Sequence, residues 1–138
     1  MQNVTIQLVI THTADRQTER TELRYPGRAA NRENGWYFSY TEQVEGIGEV
    51  GTILKIALSE VTLLRQGKLQ MKQVFAKGKS SECHYVSPHG RFRMETYTRM
   101  LRIEREEERP AAIRTQYQLW LDGQYLGEYE LDVRIDWE

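Results

Sequence analysis

The chain has 138 residues, a length typical of one domain with a single hydrophobic core. Its 19 basic and 20 acidic side chains nearly cancel, which argues against a nucleic-acid-binding surface spread over the whole protein. The single cysteine, Cys83, excludes an internal disulfide, and no apolar run reaches the ~18 residues of a membrane helix. With no signal-peptide pattern at its start, we expect one cytoplasmic domain, residues 1–138, with no membrane partner.

Apolar residues recur at every second position along most of the chain, a pattern typical of strands with one buried face. The first predicted strand, 3–12, places Val4, Ile6, Leu8 and Ile10 on one face. The last has the clearest alternation, because its even-numbered residues from 128 to 136 are all charged. The predicted strands, in chain order, are 3–12, 18–26, 34–43, 50–58, 60–65, 68–77, 80–87, 91–98, 99–105, 113–120 and 125–137.

Turn-forming residues separate these segments. They are Asp15, Pro26-Gly27, Asn34-Gly35, the stretch 46–51, Gln66-Gly67, Pro88 to Gly90, Pro110 and Asp122-Gly123. Many short strands joined by short turns predict an all-β, up-and-down antiparallel barrel, with a sandwich as the alternative. A helix is the alternative for 99–109, where opposite charges recur at three- and four-residue spacings. The terminal strands either pair with each other or remain open edges, so a monomer and a homodimer both fit.

Side-chain direction predicts the register of two hairpins, because paired residues point to the same face of a sheet. Three-residue loops are expected at 65–67 and at 121–123, and the first of these puts Arg65 at a turn near the barrel rim. The pairs that follow are Leu63 with Leu69, Val61 with Met71, Leu119 with Tyr125, and Tyr117 with Gly127.

Several motifs occur in an order found in a known family. They are WYFSYTE at 36–42, GTILKI at 51–56, VTLLRQGKLQMKQVF at 61–75 and YQLWLDG at 117–123. In this order the chain resembles the YwiB-like family of uncharacterised bacterial proteins, although Pro88 and His89 depart from the family's usual turn. The resemblance implies a calycin-like, lipocalin-like antiparallel barrel in the bacterial cytoplasm, with no established activity or ligand.

Polar side chains share the apolar face of several predicted strands. A buried Glu42, above all, needs a cation or several hydrogen-bond donors. One interpretation is a pocket at a barrel mouth that orients a small amphipathic or anionic ligand, and the alternative is that these groups satisfy one another and complete the barrel end. The candidate ligand-binding residues are Tyr40, Glu42, Thr52, Arg65, Gln73, Tyr85, Thr96, Tyr117 and Tyr129.

Charge is distributed unevenly along the chain. Residues 65–93 carry seven basic groups against one acidic group, or +6, whereas 122–138 carry six acidic groups against one basic group, or −5. One interpretation of this asymmetry is a basic surface that binds an acidic protein, and the alternative is that these charges lie on the solvated outer faces of strands. Few aromatic side chains accompany the basic ones, which argues against RNA. The candidate basic surface comprises Lys68, Lys72, Lys77, Lys79, Arg91 and Arg93.

Motifs for catalysis are missing from the sequence, which has no phosphate-binding loop and no hydrolase or metalloprotease signature. His12, His84 and His89 lack the spacing of a metal site, and Cys83 is expected to point inward as a small apolar residue. Glu42 is the one candidate acid or base, and it has no positioned second group. The sequence favours a non-catalytic binding barrel without metal or cofactor, with an interaction barrel as the alternative and an enzyme third.

Overall fold

The computed structural model describes all 138 residues and contains ten β-strands and no helix. Consequently no helical segment is long and apolar enough to cross a membrane. The strands are β1 (Gln2–Ala14), β2 (Gln17–Arg32), β3 (Gly35–Val44), β4 (Gly48–Ile56), β5 (Val61–Gln66), β6 (Met71–Phe75), β7 (Ser80–Ser87), β8 (Gly90–Glu106), β9 (Arg109–Leu121) and β10 (Gln124–Trp137).

All ten strands belong to one antiparallel sheet in the order β6-β5-β4-β3-β2-β1-β10-β9-β8-β7. The terminal strands β1 and β10 pair with each other from Val4–Trp137 to Thr13–Glu128, so they lie inside the sheet and the open-edge alternative is wrong. The sheet edges are β6 and β7, which meet in a two-hydrogen-bond bridge between Gln70 and Val86. This contact nearly closes the sheet, and the predicted up-and-down barrel is confirmed.

The inward-facing residues change from apolar to polar along the barrel axis. On β3, the buried or half-buried Trp36 and Phe38 are followed by Tyr40 and Glu42, which are also buried. We call the end that carries both termini and the turns at 33–34, 57–60, 76–79 and 107–108 the aromatic end. The opposite end, with the turns at 15–16, 45–47, 67–70, 88–89 and 122–123, is called the polar end.

Aromatic rings close the aromatic end. Trp137 meets Trp36 edge-on with ring centroids 5.1 Å apart and meets Phe38 at 5.7 Å. Its indole N–H donates to the carbonyl of Pro110 at 2.9 Å, and the Arg109 guanidinium lies 4.2 Å above its ring. The indole N–H of Trp137 is therefore satisfied where the ring is partly buried.

Two predicted turns are wrong, because their prolines lie inside strands. Pro26-Gly27 lies within β2, where Pro26 is paired with β1 alone, the kind of position at which a strand tolerates proline. At Gly27 a Cβ atom would come 2.8 Å from Ile6 and 2.9 Å from a backbone carbonyl, so close strand packing explains this glycine. Pro110 is the second residue of β9.

One continuous strand, β8, replaces the two predicted strands at 91–98 and 99–105, and the helical alternative is wrong. A bulge between Thr98 and Met100 reverses the parity, so that even-numbered residues face inward before it and Leu101 and Ile103 do so after it. The strand ends in a two-residue turn at 107–108, where both backbone φ angles are positive.

The register predicted for the last hairpin is also wrong. Its turn has two residues, Asp122 and Gly123, both with positive φ, and the extra residue lies in a bulge between Tyr125 and Gly127. After the bulge, the odd-numbered residues of β10 face inward as predicted. The sequence pattern therefore cannot distinguish a two-residue turn with a bulge from a three-residue loop. The observed pairs are Tyr125 with Trp120, Gly127 with Leu119, and Tyr129 with Tyr117, and Tyr125 points outward.

The hairpin of β5 and β6 differs from prediction as well. Arg65 lies in β5 opposite Met71, and Leu63 pairs with Gln73. The loop spans 67–70 because Leu69 turns inward and is almost fully buried. Arg65 nevertheless lies close to the polar end, two residues before the loop.

Candidate functional site

An ion pair lies inside the barrel at the polar end. Glu42 of β3, Thr52 of β4 and Arg65 of β5 project inward from three adjacent strands, and Glu42 is 5% exposed. Arg65 donates from Nε to Glu42 Oε1 at 2.9 Å and from Nη2 to Oε2 at 3.1 Å. The Thr52 hydroxyl donates to the same Oε1 at 2.5 Å. Both carboxylate oxygens are thus bound within the protein, in the two-pronged geometry that suits arginine.

The titration of neighbouring groups follows from this pair. Burial alone would lower the pKa of Arg65, but the hydrogen bonds and charge of Glu42 outweigh it and raise that pKa. Burial raises the pKa of Tyr40 well above its usual range, and the Glu42 charge adds to the effect. The same two causes raise the pKa of Tyr25, which stacks on Tyr40 at 5.4 Å. The site therefore holds neutral phenols beside a charged pair.

A second polar contact lies inside the barrel, between β6 and β8. Gln73 of β6 donates from Nε2 to the Thr96 hydroxyl of β8 at 3.1 Å, and both side chains are buried. Thr98, two residues further on, is fully buried, and its hydroxyl has no hydrogen-bond partner. The amide–hydroxyl contact joins β6 directly to β8 inside the barrel.

The remaining candidates form a column of rings. His12 stacks on Tyr129 at 4.1 Å, Tyr129 stacks on Tyr117 at 5.4 Å, and Tyr117 meets Phe75 at 4.8 Å. His12 Nε2 lies 2.8 Å from the carbonyl oxygen of Leu126, which fixes its ring. Burial raises the pKa values of Tyr117 and Tyr129. Tyr117 is buried and Tyr129 half-buried, so the column runs from the polar end into the interior.

The nine candidates therefore do not form one constellation. The structure brings Tyr40, Glu42, Thr52 and Arg65 together, with the half-buried Tyr85 and the buried Tyr117 close enough to Arg65 for their charges to interact. The contact of Gln73 with Thr96 is separate, and Tyr129 is linked to this group through its stacking on Tyr117.

Sequence reasoning missed a seam in the barrel wall. Strands β6 and β7 share a turn at 76–79 and the bridge at Gln70–Val86, but between these points they form no ladder. A single side-chain hydrogen bond crosses this gap, from the Ser81 hydroxyl to the carbonyl of Val74 at 3.0 Å. Missing strand pairing leaves no local trace in a sequence, so only the tertiary structure shows the seam.

An open concavity of about 630 Å³ lies over the polar-end part of this seam. Its apolar floor includes Met71 and Cys83, and its polar lining includes Arg65, Lys72, His84 and Arg91. Arg65 thus reaches both the internal ion pair and this concavity. Its guanidinium has five N–H groups, and contacts to Glu42 and to the Met71 sulfur, at 3.5 Å, engage three of them.

The basic and acidic segments differ in how far they are neutralised. On β10, Glu128 is paired with Arg99 at 2.5 Å and Asp132 with Arg114 at 2.6 Å. All six residues of the candidate basic surface are exposed, and only Arg93 forms an ion pair, a loose one with Glu82 at 3.7 Å. A positive field therefore persists around the seam, while the acidic strand is largely compensated by its neighbours.

The other singled-out residues contribute no reactive centre. His84 and His89 are exposed, and no three His, Cys, Asp or Glu side chains converge in a way that could hold a metal ion. Cys83 packs half-buried against the core, as expected, and burial raises the pKa of its thiol.

Comparisons with known proteins agree with this fold and place the chain in a family. The chain is 32% identical over 95 residues to the uncharacterised β-barrel protein YwiB of Bacillus subtilis (strain 168), covering 69% of this chain and 66% of that protein. The crystal structure of ywiB protein from Bacillus subtilis shares the fold, with a TM-score of 0.78 and 24% identity over 96% of this chain and 91% of that one. The model of the domain of unknown function DUF1934 matches residues 5–133. The resemblance expected from the motifs is confirmed, and the chain belongs to the DUF1934 family.

Proposed function

We propose that this barrel is a non-catalytic cytoplasmic binding protein for a small anionic or amphipathic molecule, held in the concavity over the β6–β7 seam. The observation that carries the proposal is the combination of an apolar floor with uncompensated cations at one opening. A volume of about 630 Å³ lies within the ~300–1,000 Å³ range of small-molecule sites. The sequence motifs imply a calycin-like barrel, and a barrel of that kind fits the binding of a small molecule.

Charge supports an anionic ligand. Lys72 and Arg91 line the concavity and form no ion pair, and Glu82, the one acidic residue of the basic segment, is engaged by Arg93. Arg65 adds a guanidinium whose position is fixed by Glu42, so it needs little reorganisation to donate a further hydrogen bond to a ligand oxygen. A carboxylate or phosphate with an apolar body fits this arrangement.

The interior polar groups then act mainly as a support for Arg65. Glu42 and Thr52 hold the guanidinium from inside the barrel, and Tyr40 lies beside them as a neutral phenol. A binding group that is already oriented loses less conformational freedom when a ligand arrives. The absence of a second positioned acid or base beside Glu42 favours binding over catalysis.

The test starts with native mass spectrometry of protein purified from a bacterial cytoplasm, followed by titration with the amphipathic anion anilinonaphthalene sulfonate. The Lys72→Gln/Arg91→Gln variant is expected to bind this probe about tenfold more weakly, a loss of about 1.4 kcal/mol. Lys77→Gln/Lys79→Gln removes the same charge from the β6–β7 turn at the opposite barrel end and is expected to bind like the wild type. Equal weakening in both variants, or no binding by the wild type, contradicts the proposal.

A second candidate function is a barrel that binds an acidic protein through its outer basic surface, and the exposure of all six basic residues favours it. Its charge requirement extends to Lys77 and Lys79, which lie outside the concavity. Replacing Lys72, Lys77 and Lys79 by glutamate is expected to release a stoichiometric partner recovered at low salt. Such a partner with no probe binding favours this candidate over the first.

A further inference from the structure

Strand β2 is paired on both sides over only part of its length. Residues Gly27–Arg32 pair with β3, whereas residues 17–26 pair with β1 alone. Beyond Tyr40, β3 continues with β4 as its only neighbour. The side of β2 that faces away from β1 therefore presents unpaired backbone N–H and C=O groups over ten residues, roughly 33 Å of strand.

No other part of the chain shields this edge. All six residues from 17 to 22 are exposed, including those that continue the inward-facing row of the barrel. The backbone hydrogen bonds outside the strand ladders lie elsewhere in the molecule. An uncovered edge of this length is a template for another strand.

Side chains along the edge are complementary to themselves when two copies run antiparallel. The outward row contains Arg20 and Glu22, whose side chains touch at 2.8 Å and are both exposed. If two copies pair about a two-fold axis at Thr21, Arg20 lies opposite Glu22 of the partner subunit, and the converse pair forms on the other side of the axis.

Neighbouring registers are less favourable. An axis at Glu22 would set two carboxylates against each other and Arg20 against an arginine. An axis at Leu23 would also set opposite charges, Glu22 and Arg24, against each other, but it would bring Pro26, which has no N–H to donate, into the paired stretch. The axis at Thr21 confines the pairing to residues 17–25.

We propose that this chain forms a homodimer in which residues 17–25 of β2 pair antiparallel with the same residues of a second copy. The two barrels then share one continuous sheet across the two-fold axis. The ion pairs between Arg20 and Glu22, together with the exclusion of Pro26, select the register, and backbone hydrogen bonds form along the paired residues.

Sedimentation equilibrium of the full chain tests this proposal. The wild type is expected to have twice the mass of the chain, and Glu22→Arg is expected to weaken the dimer at least tenfold because it sets arginine against arginine. The double variant Arg20→Glu/Glu22→Arg again places opposite charges at positions 20 and 22, which face each other only when the two-fold axis lies at Thr21. This variant is therefore expected to recover the dimer.

A matched control is Glu49→Arg, which makes the same change on exposed residue 49 of β4 and is expected to leave the dimer intact. A wild type that stays monomeric overturns the proposal and leaves the edge to an extended segment of another protein. A dimer that survives Glu22→Arg, or one that the double variant fails to recover, also overturns it.

Discussion

The two ends of the barrel are closed by different interactions. At the aromatic end, Trp36, Phe38 and Trp137 exclude water by packing rings against one another. At the polar end, Glu42 and Arg65 bring opposite charges into the barrel and hold them with directional hydrogen bonds. Truncating a packed ring lowers the stability of the protein in proportion to the atoms removed. Removing one partner of a buried ion pair costs most, because the other charge is left buried alone.

The two ends of the barrel differ in what they contribute to stability and to binding. The aromatic end has two oriented cations, Arg109 over the Trp137 ring and Arg105, which donates to the carbonyl of Ala57, but neither is paired with a carboxylate inside the barrel. At the polar end Arg65 is oriented from inside and partly exposed outside, with 21% of its side chain accessible. We infer that the aromatic end contributes mainly stability and that the polar end supplies the recognition chemistry, and each prediction below tests one side of this difference.

The largest effect is expected at the aromatic end. Phe38 is completely buried, so Phe38→Ala should lower the free energy of unfolding by about 4 kcal/mol, through lost contacts and the cavity left behind. Urea unfolding measures this change. Tyr37→Ala, on the outer face of the same strand, should cost about 1 kcal/mol. Equal costs for the two variants would show that the ring cluster does not carry the stability assigned to it.

At the polar end, removing one partner should cost more than removing both. Arg65→Met is expected to lower the free energy of unfolding by about 3 kcal/mol, because the buried Glu42 carboxylate loses its cation. The Glu42→Leu/Arg65→Met variant should return to within about 1 kcal/mol of the wild type. Urea unfolding of the double variant and of the two single variants, Glu42→Leu and Arg65→Met, completes a double-mutant cycle. A loss in the double variant equal to the sum of the two single losses would contradict the pairing argument.

Alkaline pH should lower the free energy of unfolding, because buried tyrosines near the polar end lose their protons. The pKa values of Tyr40 and Tyr117 are raised by burial above the ordinary value of 10.0, so the folded state keeps these protons longer than the unfolded state does. Stability should be constant below about pH 10 and fall above it, by about 1.4 kcal/mol per pH unit for each tyrosine. Tyr40→Phe should give a shallower fall in urea unfolding at high pH, and an unchanged slope would contradict the assignment.

The sequence was sufficient to predict the barrel and much of its polar interior. Two-residue alternation places Glu42, Thr52 and Gln73 on the inward face whatever the exact register, and all three are buried. A carboxylate on that face requires a cation, and Arg65 shares the inward parity of β5. This local reasoning is reliable because the alternation of side chains is a property of each strand alone.

Features that depend on missing or shifted pairing were not predictable. The bulge before Gly127 restores a plausible alternation, so the alternation of side chains predicted a wrong register there, and the bulge after Thr98 reverses the alternation, so one strand was predicted as two. The seam between β6 and β7 and the free edge of β2 arise where neighbouring strands diverge. Divergence is decided by barrel curvature and by contacts distant in sequence, which no local pattern records.

The smallest expected effect has the opposite sign and lies between the two ends. Thr98 is fully buried with a hydroxyl that has no partner, so Thr98→Val should raise the free energy of unfolding by about 1 kcal/mol while keeping the side-chain shape. Thr115 is equally buried, but its hydroxyl donates to the Met100 carbonyl at 2.9 Å. Thr115→Val should therefore cost about 1 kcal/mol, and urea unfolding compares the two variants. Destabilisation by both would mean that the Thr98 hydroxyl is satisfied in solution, which would extend the polar half of the interior beyond Gln73 and Thr96.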